Sequence, residues 1–489
     1  MPNETQPLLG HTIESEAVVT EEPLVDFDPN GDPDNPLDWP KAYKLGVVLL
    51  LAFMAFTVTF TCIGVVPVAD RIVLDLSGKE SKSASILLVT VWELGEAAGP
   101  LLIAPLSEIY GRYPIFIVAN TVFILGTVLA AISPTTNVFI FARFLTGFAV
   151  ASNVLSPAII GDIYASESRG SGMSLIMLAP LLGGAIGPAI SGAIAETLGW
   201  RKILWICAAV AVTCQIFFLT LLRETYKVPI LQRRAARLRK ETRDDSLKCA
   251  WEEKADETRS WSALQTAIQR PALVMADSGV LQILSFSGGF VFSLYYITAT
   301  TFPGMLREVY GFSPAMIGAS FLSFSIGASV AIVVCNLFLD KTYIALGRSR
   351  EGPSRPEDRL PFLIGGIAIL PFIITLYGWA PYLHWPVGVL LLAMGLMGFA
   401  LILTWVPLSS YVVDAFGLYS ASALTGLLIA RCLGGTLLPL AIPPLTDALG
   451  LGYGFLVTAA VCLVLIPLPI VIMRYGFSWR QRSVYTKDK

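Results

Sequence analysis

The chain has 489 residues, of which 55% are hydrophobic and only 14% are charged. Soluble domains carry about 25% charged residues, so this composition excludes a soluble multi-domain enzyme and favours a membrane protein. The 34 basic and 36 acidic side chains nearly cancel, which gives no basic field for nucleic acid. Two histidines are too few for a multi-histidine metal centre, and we expect no metal and no cofactor.

Twelve apolar stretches follow in chain order, each near the roughly 20 residues that a helix needs to cross a bilayer. They are numbered as spans one to twelve and lie at residues 44–66, 85–106, 113–133, 137–161, 172–195, 203–222, 276–302, 314–339, 360–379, 386–411, 421–444 and 453–474. The prediction is an all-α, multi-pass membrane protein with 12 transmembrane helices. Residues 1–43, which are acidic and rich in Pro, Asn and Asp, are expected to form a disordered cytosolic tail.

The charges of the loops predict the orientation in the membrane. If both termini are cytoplasmic, 26 Lys and Arg lie on the cytoplasmic side and six lie outside, with Arg143 and Arg431 within spans. Cytoplasmic loops of membrane proteins are enriched in Lys and Arg, so both termini are expected in the cytoplasm.

A charged segment at 223–275 separates an N-terminal bundle at 44–222 from a C-terminal bundle at 276–474, and a cytosolic tail follows at 475–489. We interpret this segment as a tether between the bundles, with a regulatory or partner-binding site as the alternative.

The second bundle repeats part of the first with a constant offset of 251 residues. The repeated positions are Leu182-Gly183-Gly184, Pro188, Glu196 and Leu198-Gly199 in the first half, and Leu433-Gly434-Gly435, Pro439, Asp447 and Leu449-Gly450 in the second. Two six-helix halves related as parallel repeats are an arrangement that transporters use.

Three motifs lie in the first bundle. The loop between spans two and three carries Glu108, Gly111 and Arg112, where a glycine turn places a carboxylate and a guanidinium at a helix–helix junction. Arg143 lies inside span four and needs a partner or a cavity, because a charge in the bilayer costs several kcal/mol. Span five carries Gly-x-x-x-Gly-Pro-x-x-Ser-Gly, whose small residues favour close helix packing; its key positions are Gly183, Gly187, Pro188 and Gly192.

With these motifs, residues 35–480 resemble the major facilitator superfamily, and within it the fungal twelve-span drug:proton antiporters. The order of Tyr411-Val-Val-Asp414, Arg431 and Pro439-Leu440 resembles the same fungal exporters. Ala104, Ile109 and Tyr113 depart from the family's loop motif, and Ser191 departs from its antiporter motif.

The resemblance implies specific roles for the motif residues. Glu108 and Arg112 would pair with charges at neighbouring helix ends and close a cytoplasmic gate, and Asp162 is our candidate partner. Arg143 would assist proton coupling, with a structural hydrogen-bond hub to carbonyls of span one as the alternative. The span-five motif implies export rather than uptake, with generic close packing as the alternative.

No nucleotide-binding loop of the Gly-x-x-x-x-Gly-Lys-Ser/Thr type occurs in the sequence, which favours secondary transport. Glu93 and Glu96 lie three residues apart on one face of span two and are the predicted proton carriers, because two carboxylates in a low-dielectric bundle favour binding a proton at one of them. Asp277, at the start of span seven, is a further candidate. In this fold the cavity walls come from spans one, four, seven and ten, where the candidates are Phe60, Asn153, Tyr295, Tyr296 and Trp405; Arg431 of span eleven could attract an anionic substrate or neutralise a span-two acid.

The sequence thus predicts a non-enzymatic, proton-coupled exporter of small organic molecules such as drugs, toxins or fungal secondary metabolites, with the two six-helix bundles of the major facilitator fold. Its expected partners are the small-molecule substrate, protons and the bilayer, and we expect a monomer in the plasma membrane. A polyamine or nutrient transporter of the same fold is one alternative, and a non-transporting membrane sensor is the other.

Overall fold

A computed structural model describes residues 24–28, 30–165, 168–243, 247–249, 261–349 and 355–486. Long apolar helices dominate these residues, because a helix satisfies its own backbone hydrogen bonds inside a bilayer. The spans of the first half are Lys41–Ile63 with Ala69–Ser77, Lys82–Tyr110, Arg112–Ile132, Thr136–Phe148 with Ser152–Ile163, Arg169–Thr197, and Trp200–Leu221. In the second half, span seven is Gly279–Glu308, span eight is Pro314–Ser320 with Leu322–Ser349, span nine is Leu360–Tyr382, and span ten is Val387–Phe416. Span eleven is Ser420–Leu437, continued by Leu438–Ala441 and the start of Ile442–Leu465. Span twelve is the rest of Ile442–Leu465 with Pro467–Arg480.

By length and composition, eleven helical stretches of the described residues can cross a membrane, and the last of them, Ser420–Arg480, has 61 residues. At 1.5 Å per residue, a straight helix of that length would span about 90 Å, roughly three bilayer cores. The stretch is broken at Gly450, whose φ of 79° and ψ of 165° are not helical. A Cβ at Gly454 would lie 3.0 Å from Cγ2 of Thr446, so the chain reverses between them and makes two crossings. The all-α fold with twelve spans is therefore confirmed.

The helices pack in the same pattern in both halves. Span one packs on span five, two on four, and three on six; seven packs on eleven, eight on ten, and nine on twelve. The breaks at Gly199 and Gly450, which the repeat pairs, have the same backbone geometry, with φ of 84° and 79° and ψ of 158° and 165°. The sequence repeat therefore corresponds to a structural repeat of six helices.

The halves meet along two seams, one between spans five and eight and the other between spans two and eleven. Two ends of the bundle are distinguished below. The termini side holds the loops between spans two and three and between spans eight and nine. The far side holds the turns at Gly199 and Gly450.

The prediction of a disordered tail over residues 1–43 is corrected for the part that the structure describes. Residues Leu24–Val25 pair in parallel with Lys248–Cys249, and a 3₁₀ turn at Pro36–Asp38 precedes span one, which begins at Lys41. Val25 and Trp39 are buried there, at 8% and 6% exposure. Their burial offsets the conformational entropy that this otherwise polar segment loses when it becomes ordered. Residues 1–23 lie outside the described residues.

This N-terminal segment is held by the segment that connects the two halves. Arg234, on the helix Lys227–Thr242, forms an ion pair with Asp32. Burial opposes ionisation of Asp32, but the hydrogen bonds from Arg234 and from backbone N–H groups prevail and lower its pKa. A second helix, Trp261–Asp277, leads into span seven. The connecting segment 223–275 thus has folded parts beyond a simple tether.

Gly450 provides a test of the span-eleven to span-twelve turn. Its backbone lies in a region that is essentially restricted to glycine, so Gly450→Ala should cost on the order of 1–3 kcal/mol. The nearest atom to a Cβ there is 3.8 Å away, so strain rather than a clash is the expected cause. We expect a lower thermal unfolding midpoint of the purified protein. Gly388→Ala, in open space without a positive φ, is the control and should lose no stability. Equal midpoints for the two variants would contradict this account.

Candidate functional site: a charged central cavity

A cavity of about 360 Å³ lies between the halves and is lined by spans one, two, four, five, seven, eight, ten and eleven. Six of the predicted site residues line it: Glu93, Glu96, Asn153, Tyr295, Tyr296 and Arg431. Most of the remaining wall is apolar or aromatic, with Met177, Leu181, Phe292, Phe321 and Phe324 among its members. Such a wall with few convergent polar groups is typical of sites for small organic molecules.

Glu96 and Arg431 form an ion pair across the interface between the halves. Nη2 of Arg431 lies 3.1 Å from Oε1 of Glu96, and Nδ2 of Asn153 donates to the same oxygen at 3.1 Å. The Arg431 guanidinium also lies over two aromatic rings, 4.2 Å from the centre of Phe292 and 5.0 Å from that of Trp405. Trp405 thus acts on the cavity through Arg431 rather than through the wall itself. Of the two interpretations of Arg431 made from the sequence, the geometry supports neutralisation of a span-two acid.

Glu93 has a different environment from Glu96. It is 2% exposed, and its Oε1 accepts a hydrogen bond of 2.6 Å from the hydroxyl of Tyr296 in the opposite half. Its Oε2 is buried and accepts no N–H or O–H hydrogen bond among the described residues; the Cys432 thiol beside the carboxylate is a weak donor. A buried carboxylate oxygen without a strong donor is costly when charged, and a proton on that oxygen removes the charge.

Arg143 lies beside this site but not in its wall. Its guanidinium donates to the carbonyl oxygens of Thr61 and Cys62 in span one, at 2.9 and 2.7 Å, and lies 4.6 Å from the ring centre of Trp92. At 1% exposure it is the hydrogen-bond hub that the sequence left as an alternative. Because Trp92 precedes Glu93, this hub also fixes the part of span two that carries the acids.

Besides Arg143 and Trp405, two further predicted residues, Asp277 and Phe60, are not in the cavity wall. Asp277 lies on the termini side, where its Oδ2 accepts hydrogen bonds from the Ser483 hydroxyl at 2.6 Å and the Val484 N–H at 3.0 Å. Its carboxylate holds the C-terminal turn, so its placement with Glu93 and Glu96 is corrected. Phe60 is not among the lining residues; its backbone and ring lie against Gly187 of span five. The expectation that Phe60 lines the cavity is corrected for a different reason, namely that its side chain packs against span five.

The span-five glycines lie at two contacts. A Cβ at Gly183 would come within 2.8 Å of the Phe56 carbonyl oxygen, and one at Gly187 within 3.3 Å of the Phe60 Cα, so both allow span five to approach span one. A Cβ at Gly192 would collide with the carbonyl oxygen of Pro314 in span eight, and one at Gly318 with that of Pro188. The motif therefore closes the seam between spans five and eight on the far side.

On the termini side, the structure brings Arg112 and Asp162 together. Nε of Arg112 lies 3.4 Å from Oδ2 of Asp162, and Nη1 donates to the Ser107 hydroxyl at 2.6 Å. The guanidinium also lies 4.7 Å from the ring centre of Tyr226, a hydroxyl whose pKa is raised by burial. Glu108 is exposed, and the structure does not bring it to this pair.

Glu224, which is not among the residues predicted from the sequence, orders this loop. The carboxylate of Glu224 accepts from the backbone N–H groups of Arg112 at 2.9 Å and Tyr113 at 3.3 Å, next to Gly111, whose φ is 102°. It thereby caps the start of span three. The position of Glu224 just after span six was the one sequence feature that could have drawn attention to it. Sequence spacing alone does not show that it contacts the loop between spans two and three.

A similar cluster in the second half was also missed. Nε of Arg359 lies 2.5 Å from Oδ2 of Asp414, and Nη1 lies 3.0 Å from Oδ1 of Asp340. Arg359 precedes span nine and Asp414 lies near the end of span ten, so they correspond to Arg112 and Asp162 in the first half. The repeat could have suggested this pair.

Two repeated helical halves around a charged central cavity define a membrane transporter rather than an enzyme. Residues 45–439 match the model of the Major Facilitator Superfamily, and the chain belongs to that family. The resemblance to fungal exporters is likewise confirmed. The efflux pump radE of Floropilus chiversii is 32% identical over 456 residues, which cover 93% of this chain and 84% of the relative. The MFS-type transporter atr4 of Stereocaulon alpinum is 34% identical over 469 residues, with coverage of 95% and 83%.

A solved structure supports the fold independently of close sequence similarity. The crystal structure of a D-xylose-proton symporter matches with a TM-score of 0.65 at 16% identity, covering 91% of this chain and 99% of the other.

The Glu96–Arg431 pair yields a stability prediction. Removal of one partner of a buried ion pair leaves an uncompensated charge and costs about 3–5 kcal/mol, whereas removal of both costs less than the sum. Glu96→Gln and Arg431→Met should each lower the thermal unfolding midpoint, and the double variant should recover part of the loss. Asp447→Asn is the control, because it breaks an ion pair with Lys82 whose side chains are 65% and 59% exposed. Single variants no worse than this control, or strictly additive losses, would refute the coupling.

Proposed function

We propose that this protein is a proton-coupled exporter of small organic molecules that works by alternating access. The observation that carries the proposal is the charge balance of the cavity: two buried carboxylates, Glu93 and Glu96, share one guanidinium, Arg431. With both acids ionised the group carries one net negative charge, and a single proton brings it to neutrality. Such a group exchanges one proton without leaving a large uncompensated charge in the bilayer.

Glu93 is the proposed proton carrier. Glu96 already has Arg431 as its hydrogen-bonded counter-charge, whereas Glu93 has only neutral donors beside it, the Tyr296 hydroxyl and the Cys432 thiol. The hydrogen bond between Glu93 and Tyr296 joins the two halves, so a change in the protonation of Glu93 acts directly on the contact that must break when the halves tilt. Arg143 is a positioning residue here, since it holds Trp92 and the carbonyls of span one in place.

The gating roles of the termini-side residues remain proposals. Arg112 and Asp162 would lock the loop between spans two and three while the cavity is closed on that side, with Gly111 supplying the turn. Glu108 lies nearby on the exposed surface and is retained only as a member of the motif. The positive charge of the loops supports cytoplasmic termini.

Export rather than uptake is supported by the span-five motif and by the word "efflux" in the name of the relative radE. The aromatic wall suits drugs, toxins or secondary metabolites with apolar rings. Its aromatic side chains offer apolar area, and the hydroxyls of Tyr295 and Tyr296 add polar tips. A polyamine would need cavity acids free of cationic partners, and the pairing of Glu96 with Arg431 disfavours it. We further propose that the protein acts as a monomer in the plasma membrane.

The function is tested in yeast cells that lack their own drug exporters. Expression should lower the intracellular accumulation of at least one compound from a panel of aromatic toxins, and a protonophore should abolish that effect. A non-transporting sensor would leave the accumulation of every compound unchanged. Persistence of export after the proton gradient collapses would overturn proton coupling.

Glu93→Gln tests the proton carrier. Glutamine keeps the size and the acceptor for Tyr296 but cannot exchange a proton, so proton-driven export of the panel compound should fall by about 100-fold, as expected for the loss of a positioned acid–base group. Compound exchange across vesicles without a proton gradient should persist. Glu241→Gln, at an exposed position on the Lys227–Thr242 helix, is the matched control and should export normally. Proton-driven export that survives Glu93→Gln would show that Glu93 is not the carrier.

A further inference from the structure

The two seams that join the halves on the far side are related by the repeat but differ in chemistry. Span five corresponds to span eleven, and span two to span eight, so the seam between five and eight is the counterpart of the seam between two and eleven. At its outer end, each seam has a contact made by one of the two repeated acids. Glu196 accepts from the N–H of Ala315 at 3.0 Å in the seam between spans five and eight, and Asp447 pairs with Lys82 at 2.7 Å in the seam between spans two and eleven. Below these contacts the seams diverge.

The seam between spans five and eight is closed by backbone against backbone. Gly192 lies against the carbonyl of Pro314, and Gly318 lies against the carbonyl of Pro188, in contacts that leave no room for a Cβ. Close packing of this kind leaves no space for water between the helices.

The seam between spans two and eleven is closed by hydroxyl groups. Oγ1 of Thr90 donates to the carbonyl oxygen of Thr436 at 3.4 Å. Oγ1 of Thr436 lies 3.1 Å from the carbonyl oxygen of Thr90 and 2.9 Å from that of Cys432 in its own helix, and its single proton can be donated to either. Both residues are buried, at 3% and 0% exposure. Thr90 lies three residues, or about one helical turn, from Glu93.

A second, smaller cavity lies on the far side of this threonine pair. It measures about 110 Å³ and has polar or charged lining from Asp70, Lys82, Ser85, Thr300 and Glu308. Thr300 lies four residues beyond Tyr296, the partner of Glu93, so about 6 Å along span seven separates the two cavities. A thin partition built around Thr90 and Thr436 therefore divides an outer cavity, whose lining is part polar and part apolar, from the buried carboxylate.

We infer that protons reach Glu93 through the seam between spans two and eleven, that Thr90 and Thr436 are its gate, and that the seam between spans five and eight is the dry seal. This inference rests on the proposed function. Each hydroxyl donates to a carbonyl and keeps lone pairs that accept a hydrogen bond from an entering water. Because the Thr436 hydroxyl can donate to the Cys432 carbonyl instead, an entering water can take its place at the Thr90 carbonyl. The glycine and proline contacts of the other seam do not permit such an exchange. The ionisable groups that face Glu93 are Cys62, Glu96, Tyr295, Tyr296, Arg431 and Cys432.

The test follows the protonation of Glu93 by time-resolved infrared spectroscopy, with the proton itself as the probe. The purified protein is reconstituted in phosphatidylcholine vesicles with the far side outward, and an acid step is applied outside. The carboxylic acid band that appears is assigned to Glu93 by its absence in Glu93→Gln. The double variant Thr90→Val and Thr436→Val should slow the rise of this band by about tenfold or more, because both hydroxyls are lost from the route.

The controls separate a gate from a structural role. In vesicles of the opposite orientation, the double variant should show the same rate of rise of the carboxylic acid band as the unmodified protein. A general disturbance of the structure would slow the rise in both orientations. Thr127→Val removes an equally buried hydroxyl, bonded within span three, and should match the unmodified protein. If the double variant fails to fold, Thr436→Val alone should slow the band, and Thr436→Ser should restore it.

Failure of the proposed gate and failure of the proposed proton site give different results. An unchanged rise in the valine variants, or equal slowing in both orientations, overturns the gate and leaves the proton site at Glu93 intact. A carboxylic acid band that persists in Glu93→Gln overturns the proton site itself, and the entrance with it.

Discussion

The structure depends on a group of two acids and one guanidinium that is buried where the halves meet. Glu93 and Glu96 belong to the first half, and their partners Tyr296 and Arg431 belong to the second. Charges at this depth are tolerated only when each has a partner, so the halves cannot separate here without a change in charge or in contacts. The group that would carry the proton is thus also a strong polar link between the halves. This arrangement gives a transporter a direct means of coupling protonation to tilting.

The internal repeat places corresponding positions in the two halves, and only some of these positions have kept the same chemistry. The termini side keeps a similar device in both halves, with Arg112 against Asp162 and Arg359 against Asp414. The far side and the centre do not. Arg431 faces Glu96 across the interface, whereas its counterpart in span five, 251 residues earlier, is Pro180, which carries no charge. One half thus contributes the acids and the other contributes the cation and the tyrosine, and neither half holds a complete site.

Much of the fold could be predicted from the sequence, because a membrane helix must be long and apolar wherever it crosses. The pairing of Gly199 with Gly450 was readable as well, since only glycine suits the backbone geometry that both turns adopt. The rotation of each helix was harder to read. Lipid and protein interior are both apolar, so hydropathy does not tell which face of span one is buried, and Phe60 was assigned to the wrong face.

Charged residues near helix ends were also ambiguous from the sequence. Asp277 has the same residue type as a proton carrier, but a carboxylate at the membrane boundary can bind the chain's own tail, as it does with Ser483. Glu224 was missed because its partners are backbone N–H groups, which leave no signature in the sequence. By contrast, the position of Glu93 and Glu96 at the cavity could be anticipated, because two acids on one face of an apolar span need a polar environment inside the protein.

The strength of the contacts between the halves falls from the centre to the rim, and this gradient suits a protein that must open. At the rim, Lys82–Asp447 and Arg307–Asp70 join side chains that are 37–65% exposed, and pairs of this kind contribute about 0–1 kcal/mol each. They orient the halves but cannot hold them together. The central ion pair, whose side chains are 16% and 10% exposed, and the Glu93–Tyr296 hydrogen bond are much more buried, so their disruption is more costly. Under the proposed function, the conformational balance would therefore be set mainly at the centre, where the addition of one proton would alter the buried polar contacts between the halves, and the rim would follow.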